Sequence, residues 1–180
     1  LEKLTKGSLF MDGRLVNDVP CGERGVSMVF QNYALFPWLS AEKNVSFALR
    51  RGRGLGKKEA NALAQSYLER LGMAQGAKLY PFQLSGGMRQ RAALIRTLAL
   101  NPDLLLLDEP FSALDYQTRL QVCDDVYRII RKEKKTIILV THDLSEAISM
   151  ADRVLILSRR PATVQEIVSI HFADSGLLPM

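Results

Sequence analysis

Only two cysteines, Cys21 and Cys123, occur in this chain, far apart and without CxxC spacing. That excludes a disulfide framework and a cysteine-built metal site, and leaves both as small, buried or half-buried residues of a reducing compartment. Long apolar runs are lacking too. Nothing approaches the ~20 residues that a helix needs to cross a bilayer, so a hold on a membrane is expected to come through a partner. Neither sign of charge dominates. The net charge of +5 is scattered, which fits phosphate handling or a membrane surface and offers no concentrated basic block for nucleic acid. There is no internal repeat and no low-complexity tract. Histidine is scarce, with only His142 and His171, so each is judged by its own setting.

What is present is an ordinary globular composition, 47% apolar and 24% charged over 180 residues. It points to one domain with a sizeable core. The pattern predicts a short strand at Ser8–Met11 turning at Asp12-Gly13, and a second strand over Val26–Phe30. Ser40 is placed to N-cap a helix to about Leu49. A basic, glycine-broken loop, "RRGRGLGKK", follows and reads as solvated. A helix over Lys58–Leu71 is stopped by Gly72. A buried helix over Met88–Leu100 is ended by Asn101-Pro102. "DLLLLDEP" and "TIILVTHD" are continuous apolar runs, which suit parallel strands buried on both faces. Between them lies a long amphipathic helix from Asp115 to about Lys132. A short helix, Leu144–Met150, and a strand, "RVLILS", close the pattern. Strand and helix alternate, so the expected class is α/β with a mostly parallel sheet. A helical subdomain at about 40–100 is expected to be inserted in a core made of 1–39 and 101–180.

Three stretches carry chemistry. Four leucines end in Asp108 and Glu109, which delivers two carboxylates to the carboxyl edge of the sheet, where ligands bind in open α/β folds. Asp108 can support Mg²⁺, and Glu109 can act as general base towards a water, an effect worth ~10²–10⁴ in rate. The second run ends at Thr141 and presents His142 to the same edge, where an imidazole can donate to a phosphate oxygen. His171 has no such setting and reads as structural. Gln31, at the tip of the "VSMVF" strand, is a further candidate for Mg²⁺ or water. In "QLSGGMRQR", Ser85 stands where an N-cap would. Gly86 and Gly87 let a phosphate approach the backbone, and the helix after them turns its positive end outward, which makes an anion site.

Taken together and in this order, the stretches resemble the nucleotide-binding subunit of ABC transporters over nearly the whole chain. "LSGGMRQR" is similar to the signature, "LLLLDEP" to the Walker B strand, "SALD" (Ser112–Asp115) to the D-loop, "VTHD" to the switch-histidine loop and "VFQ" to the Q-loop. The resemblance implies a P-loop NTPase-like fold, ATP and Mg²⁺ as ligands, and specific roles. Gln31 is then the Q-loop glutamine and Asp108 the Mg²⁺-supporting aspartate. Glu109 is the catalytic base and His142 the γ-phosphate switch. Ser85, Gly86 and Gly87 contact nucleotide held by a second ATPase subunit, and Asp115 couples the two sites of that homodimer or pseudo-dimer. The family's P-loop, GxxxxGK[ST], is missing. Its nearest lookalike, "RGRGLGKK", has Arg51 five before Gly56 and Lys58 in place of Ser/Thr, and lies between helices. Residues N-terminal to Leu1 are therefore expected to carry the P-loop, and this chain is expected to be inactive alone.

"YPFQLSGG" resembles the importer pattern. "QNYALFPWLS" is similar to importer Q-loops that meet a membrane subunit, with Tyr33, Phe36 and Trp38 as exposed aromatics. "DEPFSALD" and "LSRRPATV" resemble the nitrate/sulfonate/taurine branch, and "RGVSMVFQNYALFP" equally the maltose or polyamine branch. The expectation is an ATP-hydrolysing subunit of an importer, peripheral at the cytoplasmic face of the membrane and bound to transmembrane permease subunits. The alternatives are a truncated, non-catalytic module docking on a membrane subunit or homologue, and a family member acting on DNA or ribosomes. The latter usually carry coiled-coil insertions or tandem cassettes, and this sequence has neither.

Overall fold

The computed structural model describes residues 6–29, 34–112 and 114–171. A small hairpin comes first, β1 (Phe10–Met11) against β2 (Arg14–Leu15). Asp12 and Gly13 both take positive φ at its tip, as a two-residue hairpin turn requires. The central sheet is parallel, in the order β3 (Val26–Val29), β4 (Leu104–Asp108), β5 (Thr136–Val140). Gly25 starts β3 with φ +67, and its carbonyl accepts from Asp103 N at 2.8 Å, which sets the register of β4. Among the described residues, three α-helices run between β3 and β4: α1 (Ala41–Gly52), α2 (Lys57–Arg70) and α3 (Gly86–Leu98). Then follow α4 (Tyr116–Glu133) and α5 (Leu144–Met150). A second hairpin, β6 (Arg153–Leu157) with β7 (Val164–Ser169), ends the described chain. The class is α/β with a parallel sheet, as expected. The sequence reading had no strand at Val164–Ser169.

Local chemistry accounts for most boundaries. Ser40, Ser85 and Asp115 cap α1, α3 and α4 by accepting the Lys43, Met88 and Thr118 amides. Each cap satisfies one of the donors a helix start leaves orphaned. Gly72 and Asn101 end α2 and α3 at positive φ. Two helices depart from the sequence expectation, α1 by running longer and α3, Gly86–Leu98 against the expected Met88–Leu100, by a shift of two residues. α1 runs on to Gly52 because tertiary contacts hold its end: the Arg53 Nη1 donates to Ala99 O at 3.3 Å, and Gly52 sits so close to Leu100 that a Cβ there would meet its Cδ2 at 2.6 Å. Arg50 and Arg51 are therefore helical rather than part of a loop. α3 starts two residues early, with both glycines inside its first turn.

One apolar cluster joins the helices to the sheet. Ala41, Val45 and Leu49 of α1 meet Ala60, Ala64 and Leu68 of α2. α3 contributes Ala92 to Ile95 and Leu98, and α4 contributes Val122, Val126 and Ile129. Leu105 and Leu107 of β4 are fully buried in it, each worth ~1.5–3 kcal/mol. Side chains alternate across a strand, and the two faces of this sheet fare differently. Leu105↔Ile137 and Leu107↔Leu139 face the core. On the other face, Leu106↔Ile138 and Asp108↔Val140, Ile138 is 50% and Val140 54% exposed. Burial of these strands on both faces, expected from their apolar runs, is thus not what the structure has. The described helices pack on one face only. Leu144 and Ile148 of α5 and Leu155 and Leu157 of β6 are exposed as well.

Candidate active site

The parallel sheet brings β4 and β5 to one edge. The Glu109 amide donates to Val140 O at 2.8 Å, so the residue after β4 is tied to the last residue of β5. Glu109 takes φ +43, a left-handed conformation that costs a non-glycine residue roughly 1–3 kcal/mol. Its carbonyl is held by Ser112 Oγ at 2.9 Å and by the Ser112 amide at 3.3 Å, and fully buried Phe111 anchors the turn between them. This strained, doubly pinned backbone aims the carboxylate at His142. His142 Nδ1 lies 3.2 Å from Glu109 Oε1, across 33 residues of sequence. An ionised carboxylate only accepts, so Nδ1 carries the proton in that contact.

Asp108 occupies the last position of β4, on the sheet face opposite the core. Among the described residues its carboxylate has no hydrogen-bond or ion-pair partner, and no group of three or more His, Cys, Asp or Glu could hold a metal. Oxygen donors without a full protein cage suit Mg²⁺, which takes one or two carboxylates, keeps waters and binds substrate phosphates. Asp108 fits that requirement. Gln31 lies outside the described residues, as do Phe30, Tyr33 and Ala113.

Asp115 is placed at the start of α4, with its Oδ1 accepting the Thr118 amide at 3.0 Å. The Thr118 hydrogen bonds hold its pKa below the usual carboxylate value. Ser85 Oγ likewise accepts from Met88 N at 3.2 Å and the residue is exposed. Gly86 and Gly87 show an internal reason for being glycine. A Cβ on Gly86 would meet Leu114 Cδ2 at 2.9 Å, and one on Gly87 would meet Val122 Cγ2 at 2.6 Å. The turn is pressed against α4 and the segment leading into it.

Three residues that the sequence reading passed over organise the surroundings. Fully buried Asn44 accepts from the Phe36 amide and donates to the carbonyls of Phe36, Leu39 and Ser40. The signal was present: a polar residue on the apolar face made by Ala41, Val45 and Leu49. Asn44 thereby shapes the Phe36–Ser40 loop, which presents Trp38 at 70% exposure. Phe36 packs on Trp38 and on Phe47 with ring centroids 5.5 and 5.1 Å apart. Beside them Phe47, Arg50, Arg51 and Leu55 line a shallow depression of 280 Å³. Arg96 of α3 donates to Ala34 O at 2.6 Å, and burial pushes its pKa down. Arg119 of α4 touches Leu114, Asp143 and Glu146. Cys123 is buried, its thiol pushed up to about 12 by desolvation and then by Glu146, so it stays an inert core residue. Among the described residues no helix is long and apolar enough to cross a membrane.

Comparison with known proteins gives the arrangement a family. The nitrate import ATP-binding protein NrtD of Synechocystis sp. is 42% identical over 179 residues, which is 99% of this chain and 66% of that protein. The aliphatic sulfonates import ATP-binding protein SsuB 1 of Paracoccus denitrificans is 48% identical over 134 residues, 74% of this chain and 53% of that one. The chain spans 62% to 66% of the length of the first curated relatives it matches. The solved dimer of the ATP-binding cassette MJ0796, in a post-hydrolysis state with ADP and Pi, matches with a TM-score of 0.75 at 29% identity, covering 96% of this chain and 77% of that one. The family model described as ABC transporter matches residues 1–112, more than half of the 180, and with this fold and these sheet-edge residues the chain belongs to the ABC transporter family.

Proposed function

We propose that the chain is the larger part of an ATP-binding and ATP-hydrolysing subunit that powers an importer. The observation that carries the reading is the meeting of Glu109 and His142, delivered by adjacent parallel strands to one sheet edge at 3.2 Å. Glu109 accepts a proton from the attacking water as its oxygen bonds the γ-phosphorus and the bridging oxygen leaves with ADP. His142, held beside Glu109, stands where an imidazole N–H can donate to a γ-phosphate oxygen. Asp108, with Gln31, would hold Mg²⁺, which supplies charge neutralisation on the phosphates. Two such subunits face each other about a two-fold axis, so that Ser85–Gly87 of one meets the nucleotide of its partner. Asp115, beside Leu114 and Gly86, sits on that same face.

The phosphate cradle is supplied by chain outside these 180 residues. Three facts support this: no GxxxxGK[ST] occurs here, the relatives are longer, and one face of the sheet, with Ile138 and Val140, is apolar and open. Exposed Trp38 and Phe47, packed on half-buried Phe36 and next to Arg50 and Arg51, support docking on a transmembrane permease subunit at the cytoplasmic face; Phe36, expected to be exposed, is instead partly covered by these two rings. The names of two of these relatives, nitrate and aliphatic sulfonate import proteins, support an anion of that kind as cargo.

The test is Glu109→Gln in the full-length protein. ATP still binds, turnover falls by on the order of 10²–10⁴, and the protein accumulates as a closed dimer on ATP. Normal turnover in that variant rejects the reading. Cargo is read separately, by ATP-dependent uptake of nitrate against taurine into vesicles bearing the complete transporter.

A further inference from the structure

The contact between His142 and Glu109 cannot position itself. The imidazole is 74% and the Glu109 side chain 36% exposed, and exposed ion pairs hold side chains only weakly. The order has to come from beneath. Arg119, at the end of the first turn of α4, donates from Nη2 to Leu114 O at 3.1 Å and from Nη1 to Asp143 Oδ2 at 3.3 Å. Its Nε lies 3.9 Å from Glu146 Oε1. Glu146 is buried, a position carboxylates occupy when paired, and its other oxygen accepts from Thr141 Oγ1 at 2.5 Å. Thr141 Oγ1 accepts the Asp143 amide at 3.0 Å. Asp143 Oδ1 in turn caps α5 through the Ser145 and Glu146 amides. The residues on both sides of His142 thus hang from one guanidinium.

We propose that Arg119 is the positioning residue that sets His142 against Glu109, and that through Leu114 it links the Ser112–Asp115 turn to the His142 loop. The importance of His142 rests on the function proposed above; the link itself rests on geometry alone. Three separate directions of contact need the planar fork of arginine, which lysine's point charge lacks. The buried Nε has no hydrogen bond in this arrangement. A shift of about 1 Å would let Glu146 supply one, so the network has a tighter arrangement open to it. A displacement of the 112–115 turn, on whichever side it begins, is therefore felt at His142.

Hydrogen exchange on this chain tests the link without turnover. Arg119→Lys is expected to speed exchange of the Ser145 and Glu146 amides roughly tenfold, the effect of one lost charge-assisted hydrogen bond. It is also expected to speed exchange over 116–119, while β4 is unchanged. Unaltered exchange at 145–146 overturns the proposal. If Arg119→Lys unfolds the chain, Asp143→Asn, which keeps the Oδ1 cap but replaces the charged acceptor facing Arg119, must still speed exchange over 116–119, and unaltered exchange there overturns the proposal. In the full-length protein, Arg119→Lys is expected to lower kcat by on the order of 10-fold with KM unchanged, since misplacement acts on geometry rather than binding. Unchanged kcat overturns the link to His142. Wild-type turnover in Glu109→Gln would instead reject the catalytic reading and leave the exchange result standing.

Discussion

Gly87→Ala separates two reasons for a glycine in the Ser85–Gly87 turn. Gly87 is buried inside the first turn of α3, with no positive φ to require glycine. On backbone grounds alanine would gain up to about 1 kcal/mol there, because it loses less entropy in a helix. The added methyl would lie 2.6 Å from Val122 Cγ2 and 3.5 Å from Thr118 Cγ2. Carbon atoms pack at about 3.5–4.0 Å, so α3 and α4 must part by roughly 1 Å or Val122 must leave its rotamer. Val122 is β-branched and buried, so neither is easy. Overpacking of this kind costs about 1–3 kcal/mol, which leaves a net loss of about 0.5–2 kcal/mol. For a chain of this size the melting temperature, followed by circular dichroism, should fall by about 1–8 °C. Val122→Ala alone leaves a cavity and also destabilises. Together the two changes should fit each other, and the double variant should be at least about 1 kcal/mol more stable than the sum of the singles. A Gly87→Ala chain as stable as the parent, with strictly additive behaviour beside Val122→Ala, refutes the packing argument and leaves nucleotide approach as the sole reason for the glycine.

Asn44→Ala removes four hydrogen bonds from a fully buried position and should cost about 2–4 kcal/mol. The fluorescence of Trp38, the one tryptophan of the chain, should change with it, and an unchanged spectrum and midpoint would count against the scaffold role. Ile138→Thr should be close to neutral in this chain, within about 0.5 kcal/mol, and clearly destabilising in the longer protein proposed above; equal effects in both would mean that nothing covers the open sheet face. Stability should fall in acid. Asp143 is pushed up by desolvation, yet the Ser145 and Glu146 amides and Arg119 outweigh this and hold it below the usual range, while the Thr118 hydrogen bonds hold Asp115 down. A folded value below the unfolded one stabilises fully above the ordinary carboxylate value of about 3.9, and that contribution is lost as pH drops through the lower folded values. Urea midpoints below pH ~4 should therefore fall less steeply in Asp115→Asn/Asp143→Asn, which keeps capping acceptors; an identical slope refutes the assignment.

Much of the molecule was readable along the chain, for reasons that act over a few residues. Capping by Ser40, Ser85 and Asp115, breaks at Gly72 and Asn101, and the apolar runs of β4 and β5 depend on neighbours in sequence. They located α1 to α5 and placed Asp108, Glu109 and His142 at strand tips. The strand β7 escaped because Val164–Ser169 becomes a strand by pairing with β6, and its mixed polar pattern carries no local signature. The true end of α1 depended on Ala99 and Leu100, far along the chain. The apolar runs of β4 and β5 spelled two buried faces, but an apolar side chain does not state what covers it. Composition and spacing thus determined the class, the element order and the residues with chemistry to offer. Only the tertiary structure decided that Glu109 and His142 touch, that Val122 fills the space a Gly87 side chain would need, and that Arg119 stands under the whole edge. Those contacts join residues from different elements, and their distances are set by how strands register and helices close-pack.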